Sequence, residues 1–205
     1  MGDRANKAAF SVAVFCGSRF GTDPAHSASA AEMGSAIGAR GWRLVYGGGE
    51  VGLMGVVARA TLDAGGTVLG VIPQRLMERE VGKHDLTELR VTATMFERKA
   101  DLIAEADAFV ALPGGLGTLD VILDVLTLRQ LGYHTKPLLL LDHAGYWRGF
   151  EAIVTQFVAA GFADASAAHL YELAADLPDV LARLDLVAGR PVRSERQPRG
   201  EVGSQ

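Results

Sequence analysis

Cysteine, lysine and long apolar runs are all scarce in this chain of 205 residues. Cys16 is the sole cysteine, so it has no partner within the chain for a disulfide, which is typical of a protein from a reducing compartment. The longest apolar runs, such as residues 138–141, are far too short to cross a bilayer, and residues 1–6 lack the apolar stretch of a secretory signal. We therefore expect a cytoplasmic protein that does not bind membranes.

The chain also lacks an excess of positive charge. Its formal net charge is -4 and its isoelectric point is near 5.7, whereas a protein that binds duplex nucleic acid needs a basic surface to displace counterions. The histidines show no HExxH or other metal-ligand spacing. We therefore expect no nucleic-acid partner, no metal and no other cofactor.

Apolar, β-branched segments alternate with longer segments rich in alanine and leucine, which is typical of βα units around a parallel sheet. We predict an α/β fold, a doubly wound and mainly parallel sheet in a single domain. The predicted domain covers residues 11–186, between an N-terminal extension (1–10) and a flexible tail (187–205) rich in Arg, Pro, Gly and Ser. The predicted strands are 11–16, 43–46, 67–72, 88–92, 107–112 and 136–141, and the predicted helices are 24–41, 52–64, 94–106, 118–131, 146–160 and 176–186.

A first glycine-rich loop begins with Gly47, Gly48 and Gly49 and reads GGGEVGLMG over residues 47–55, between a predicted strand and a predicted helix. Glycine lets a backbone approach a phosphate closely. The alternative is that these glycines only permit tight packing of the helix on the sheet. A dinucleotide site also needs an acidic residue about twenty positions later, and residues 68–74 contain none, so NAD binding is disfavoured.

A second loop, PGGLGT over residues 113–118, follows the strand predicted at 107–112. Its Thr118 could cap the next helix or donate its hydroxyl to a phosphate. Neither loop ends in the Lys-Ser/Thr pair of nucleoside triphosphatases. Two glycine loops without a ribose-binding acid suit a mononucleotide. Ser18, at the first strand-to-helix turn, is a further candidate contact for phosphate or ribose.

Between the loops, residues 94–99 read TMFERK and place Arg98 and Lys99 near a helix start, where the helix dipole favours anions over cations. An anionic ligand would account for these two cations, since a guanidinium is a planar fork for phosphate and an ammonium a point charge. The alternative is a solvated charged face with Glu97 and Asp101 as partners.

These three motifs together resemble the lonely-guy (LOG) family of cytokinin riboside 5′-monophosphate phosphoribohydrolases, whose older label was lysine decarboxylase. The resemblance covers about residues 11–162. It implies a Rossmann-like fold, usually a homodimer, and hydrolysis of the N-glycosidic bond of AMP-like nucleotides, that is, of a purine nucleoside 5′-monophosphate. It makes Arg98, Glu80 and Asp120 the candidate catalytic residues. The candidate substrate-binding residues are Ser18, Gly47, Gly48, Gly49, Met95, Arg98, Lys99, Gly114, Gly115, Gly117, Thr118, Asp120 and Thr127.

One position departs from the family pattern. The family motif continues PGGxGTxxE, but Val121 stands where the glutamate is expected. A carboxylate there can stabilise the oxocarbenium-like transition state or orient water, and valine can do neither. Three explanations stay open: a natural loss of activity, which would leave a nucleotide-binding or carrier protein of the same fold; an engineered substitution; or compensation by Glu80, Asp120 or Asp124.

Overall fold

The structure is a computed structural model and describes residues 10–77 and 85–189. Its centre is a seven-stranded sheet in the order β4-β3-β2-β1-β5-β6-β7, and every neighbouring pair of strands is parallel. The strands are β1 (Ser11–Phe15), β2 (Arg43–Tyr46), β3 (Thr67–Pro73), β4 (Glu88–Thr92), β5 (Ala108–Ala111), β6 (Leu138–Leu141) and β7 (Glu172–Ala174). The order reverses between β1 and β5, which is where open α/β sheets bind ligands.

Helices connect the strands and cover both faces of the sheet. They are α1 (Pro24–Ala39), α2 (Gly52–Asp63), α3 (Gln74–Met77), α4 (Met95–Ala104), α5 (Leu116–Gln130), α6 (Arg148–Ala159) and α7 (Leu177–Ala188). Side chains cap several of them where the sequence places an oxygen before the first turn. Asp23 accepts from the Ala25 N–H, Thr94 from the Glu97 N–H and Asp176 from the Asp179 N–H.

Two apolar cores result from the alternation of side chains along the strands. Val12 and Val14 of β1 face α1, α2 and α7, while Ala13 and Phe15 face α4, α5 and α6. A Cβ at Gly38 of α1 would lie only 2.6 Å from the Thr61 carbonyl oxygen of α2. This glycine therefore permits the close approach of α1 to α2, which fixes the helices that follow the first two strands.

The sequence predicted a doubly wound parallel α/β domain, and this is confirmed. Strand β7 was not predicted, because three residues are too few to show an alternating pattern. Helix α5 begins at Leu116 and not at Thr118, with Gly115 at the cap position. Helix α7 continues to Ala188, two residues past the predicted end of the domain. Residues 1–9, 78–84 and 190–205, which include Glu80 and most of the predicted extension and tail, lie outside the described residues.

In the described part of the chain, none of the helices combines the length and the apolar character that a bilayer crossing demands. Over the same residues, no three His, Cys, Asp or Glu side chains come together as a metal ion would require.

Candidate active site

A cavity of about 900 Å³ opens at the carboxyl edge of the sheet, at the point where the strand order reverses. The segments that follow β1, β2 and β5 line it together with the first turns of α4 and α5. Its position follows from the topology, because parallel strands deliver all their carboxyl ends, and the helix N-termini after them, to one edge.

The turns after β1, β2 and β5 are bonded to one another. The Gly17 N–H donates to the Pro113 carbonyl at 3.1 Å, and the Leu53 N–H donates to the Gly17 carbonyl at 3.1 Å. Gly52 has a φ of +71°, and a Cβ there would overlap the backbone of Ser18. Gly52 therefore lets these turns approach each other, which supports the packing explanation for this glycine.

The N-terminus of α5 is the strongest anion-binding feature of the cavity. The Gly115 carbonyl accepts from the amides of Thr118 and Leu119 at 3.0 Å. The amides of Leu116 and Gly117 come before these first hydrogen bonds of the helix and have no acceptor within it. Helix α5 has no acidic residue in its first turn. Unpaired first-turn amides and the positive end of the helix dipole suit a phosphate.

Arg98 brings its guanidinium to the same cavity from α4. Its Nε donates to the Val71 carbonyl at 3.0 Å and its Nη2 to the Gly47 carbonyl at 2.9 Å, while Nη1 lies 3.9 Å from the Met95 sulfur. A Cβ at Gly47 would overlap Nη2. The first glycine of the 47–52 loop therefore makes room for Arg98, and the two carbonyls fix the guanidinium at the cavity wall.

Lys99 points to α5 and is not among the cavity-lining residues. Its Nζ lies 2.6 Å from a carboxylate oxygen of Asp124 and 3.2 Å from one of Asp120. The hydrogen bond to Asp124 raises the pKa of Lys99; burial opposes the shift and the bond to Asp120 adds to it. Glu97 and Asp101, the partners named in the alternative explanation, have other contacts: Glu97 accepts from the Ala93 N–H at 2.8 Å, and Asp101 pairs with Arg90 at 3.5 Å.

Among the described acidic residues, Asp120 is the one that lines the cavity. Val121, also in the wall, is 7% exposed and packs in the core beneath α5. Asp124 lies one turn further along α5 and does not reach the cavity. Cys16 also lines the wall, but burial raises the pKa of its thiol to about 12, so it is no nucleophile at neutral pH.

The structure brings most of the predicted substrate-binding residues together and leaves the others outside the cavity. Gly48, with φ +77°, packs on Ile72 of β3, and Thr127 is exposed on α5, more than two turns past Thr118. The predicted residues that line the cavity are Ser18, Gly47, Met95, Arg98, Gly114, Gly115, Gly117, Thr118 and Asp120; those that do not are Gly48, Gly49, Lys99 and Thr127.

Four aromatic residues of the wall lie outside the sequence motifs: Phe15, Phe20, His26 and Tyr146. His26, in the first turn of α1, and Tyr146, after β6, both line the cavity, with their ring centroids 5.8 Å apart. His26 and Tyr146 belong to no glycine motif. The sequence sign that could have predicted them is their position after β1 and β6, strands that end at this edge of the sheet.

The fold and the cavity define a doubly wound α/β protein with a glycine-lined cavity at its topological switch point. A family model described as "Possible lysine decarboxylase" matches residues 54–184, more than half of the chain. The chain belongs to this family. The relatives of this chain include proteins named as LOG phosphoribohydrolases.

Plant proteins are among those similar to this chain. The chain is 45% identical over 174 residues to the rice (Oryza sativa subsp. japonica) protein named "Probable cytokinin riboside 5'-monophosphate phosphoribohydrolase LOGL9", with 85% of this chain and 77% of that protein covered. It is 39% identical over 186 residues to cytokinin riboside 5'-monophosphate phosphoribohydrolase LOG1 of Arabidopsis thaliana, with 87% of each covered.

Solved structures share the fold at lower identity. The molybdenum cofactor carrier protein of Chlamydomonas reinhardtii superposes with a TM-score of 0.69 at 24% identity, over 89% of this chain and 99% of that one. The molybdenum cofactor binding protein of Rippkaea orientalis gives 0.66 at 19% identity, over 89% and 99%. These similarities confirm the Rossmann-like architecture.

Proposed function

We propose that this chain hydrolyses the N-glycosidic bond of a purine nucleoside 5′-monophosphate of the cytokinin riboside type. The observation that carries the proposal is the meeting, in one cavity, of the α5 N-terminus, the Arg98 guanidinium and the Asp120 carboxylate. The identity of 39–45% to proteins named for this reaction supports the choice of substrate.

The phosphate binds at the amides that open α5, with the Thr118 hydroxyl and the turn at Ser18 beside them. With the phosphate bound there, the ribose faces Asp120 and Arg98. The Arg98 guanidinium places its positive charge beside the nucleotide, and because two carbonyls already orient it, little order is lost on binding.

Asp120 supplies the catalytic carboxylate that the family motif places at position 121. As the C1′–N bond breaks, positive charge develops on the ribose, and a nearby carboxylate stabilises that charge and orients the attacking water. Water gives its hydroxyl to C1′ and a proton to the departing base, so the products are ribose 5-phosphate and the free base. Lys99 fixes the direction of the Asp120 carboxylate through a hydrogen bond at 3.2 Å.

Decarboxylation, which the family description mentions, fits this chain poorly. Amino-acid decarboxylation through pyridoxal phosphate needs a lysine free to form a Schiff base. Of the two lysines in the described ranges, Lys99 is paired with two carboxylates, and Lys136 donates to the carbonyls of Ile103 and Ala104. Neither is among the residues of the cavity wall.

Val121 favours a second candidate, a nucleotide-binding or carrier protein that has lost turnover. Removing a catalytic carboxylate affects the transition state more than the bound ground state, so binding can outlast activity. The buried valine in the cavity wall is the specific observation behind this alternative.

Incubation with AMP and with an N6-substituted analogue, followed by chromatography for free base, separates the two candidates. The hydrolase proposal expects base release by the wild type and a loss of at least tenfold in Asp120→Asn. Binding without release, converted to release by Val121→Glu, would identify the silent protein. Gln130→Glu, which adds the same charge at the far end of α5, serves as the control and should change neither property.

We further propose that the protein works in the cytoplasm as a homodimer. Phe96 of α4 is 81% exposed beside Met95 of the cavity wall, and Leu116 of α5, itself a residue of the wall, is 86% exposed. Apolar side chains this exposed are typical of a surface that meets a partner. Light scattering should give twice the mass of the chain, and a mass of one chain would contradict the dimer.

A further inference from the structure

The lip of the cavity contains a hydrogen bond that none of the motifs accounts for. The Tyr146 hydroxyl donates to the Gly114 carbonyl at 2.6 Å, across 32 positions of sequence. Gly114 immediately precedes the cap residue of α5, where the phosphate is proposed to bind. A carbonyl oxygen at this place carries partial negative charge, and one that turned toward a bound phosphate would repel it.

The peptide that joins Gly114 to Gly115 has no side chain on either residue to restrict its dihedral angles. A Cβ at Gly115 would meet nothing within 4 Å, whereas a Cβ at Gly114 would overlap the Thr118 hydroxyl oxygen, so Gly114 packs closely on the start of α5. Because a trans peptide is planar, its C=O and the following N–H point in opposite directions and turn together. A donor that holds the Gly114 carbonyl therefore also sets the direction of the Gly115 N–H.

Tyr146 is itself held in place by the turn after β6. The buried Asp142 accepts from the Trp147 N–H at 2.7 Å and pairs with the Arg148 Nε at 2.9 Å. Ala144 has a φ of 53° in the left-handed region, which an alanine adopts at a cost. The ring of Tyr146 then packs edge-on against His26 at 5.8 Å and against Trp147 at 5.2 Å.

We propose that Tyr146 is a positioning residue for phosphate recognition: its hydroxyl holds the Gly114 carbonyl away from the ligand and so fixes the amides that open α5. This inference rests on the proposed nucleotide site but not on turnover at that site. It assigns Tyr146 a role through the Gly114–Gly115 peptide and no contact with the reacting bond. The turn at Ala144 helps by holding the Tyr146 hydroxyl within hydrogen-bond distance of the Gly114 carbonyl.

Tyr146→Phe tests this role, because phenylalanine keeps the ring and its packing on His26 and removes only the hydroxyl. We expect the Kd for AMP, measured by calorimetry, to rise on the order of tenfold, the effect of losing one hydrogen bond that supports a charged ligand. The Kd for inorganic phosphate should rise in parallel. Adenosine, which lacks the phosphate, should bind as it does to the wild type, within about twofold.

Tyr133→Phe is the matched control, since Tyr133 is 71% exposed and is not among the cavity-lining residues. It should bind all three ligands as the wild type does. If the protein turns over, Tyr146→Phe should raise the KM for AMP about tenfold and change kcat little, a split that a general loss of structure would not give.

Unchanged AMP and phosphate affinity in Tyr146→Phe would overturn this role, and so would an equal loss for AMP and adenosine, which would point to the ring and not to the hydroxyl. A wild type that binds phosphate and AMP but releases no base contradicts only the hydrolase proposal. A wild type that binds neither contradicts both.

Discussion

Lys99 of α4 reaches across to Asp120 of α5 with 3.2 Å between its Nζ and the nearer carboxylate oxygen, so the ammonium next to Arg98 serves a carboxylate of the cavity wall. Its second partner, Asp124, lies at 2.6 Å and holds the ammonium between two turns of α5. Arg98 and Lys99 are adjacent in sequence but have different surroundings: Arg98 lines the cavity, whereas Lys99 lies behind it and binds two carboxylates of α5.

Lys99→Met should lower turnover and spare binding. Without the ammonium, Asp120 loses the hydrogen-bond donor that fixes the direction of its carboxylate, and we expect kcat to fall about tenfold while KM stays within about threefold. Lys99→Arg, which keeps the charge, should recover part of the activity. Steady-state kinetics with AMP measures both. A large rise in KM with kcat unchanged would instead assign Lys99 to direct substrate binding.

Gly47→Ala should damage the site through Arg98. A Cβ at this position overlaps the Arg98 Nη2, so the guanidinium must leave its two carbonyl partners. We expect at least a tenfold loss of AMP affinity and a loss of about 1–3 kcal/mol in unfolding free energy.

The control for that substitution is Gly149→Ala in α6. An added Cβ there meets nothing within 4 Å, so stability should stay equal or rise by up to about 1 kcal/mol. Calorimetry and urea unfolding of the two variants make the comparison. Equal AMP affinity in Gly47→Ala and the wild type would show that Arg98 does not bind the nucleotide.

Glu105 should make stability depend on pH in the acid range. Its carboxylate lies 2.6 Å from the Arg43 guanidinium and 2.9 Å from that of Arg90, and these bonds, the one to Arg43 first, hold the pKa of Glu105 below its usual range. A lowered pKa gives stability that is present above the unfolded-state pKa and is lost as the pH falls through the folded-state value.

Glu105→Gln should therefore cost about 1 kcal/mol at about pH 7, and the difference from the wild type should shrink as the pH approaches about 3. Urea unfolding at a series of pH values measures it. Glu32→Gln, at an exposed position of α1, is the control and should leave the curve unchanged. A difference that grew toward acid pH would contradict the assignment.

Cys16 should be unreactive while the protein is folded. Burial raises the pKa of its thiol to about 12, so almost none is thiolate near neutral pH. A disulfide reagent such as DTNB should find no thiol at about pH 8 and one equivalent after unfolding in denaturant, since the chain has a single cysteine. Rapid labelling of the folded protein would mean that the β1 end of the cavity opens.

The parts of the fold that depend on local patterns could be predicted from sequence. Strands β2 and β4 have the predicted bounds, because short β-branched or apolar runs between turn residues define them. The meeting of the glycine loops followed from the rule that parallel strands deliver their ends to one edge. The three-residue β7 carries too few positions for a periodic signal.

The finer features of the site depend on contacts between distant elements. The partners of Lys99 lie on the next helix, and the carbonyls that hold Arg98 belong to β3 and to the loop after β2. Tyr146, which follows β6, donates to Gly114, which follows the neighbouring strand β5. No spacing in the sequence encodes such pairings, whereas the motif residues themselves were found because glycine and cation patterns are local.

A crystal structure of the wild-type protein with AMP decides whether the N-terminus of α5 is the phosphate site. We expect the phosphate at the first-turn amides of α5, beside Thr118, with the glycosidic carbon facing Asp120 and Arg98. A nucleotide bound away from this edge of the sheet, or a cavity that stays empty at saturating AMP, would contradict it.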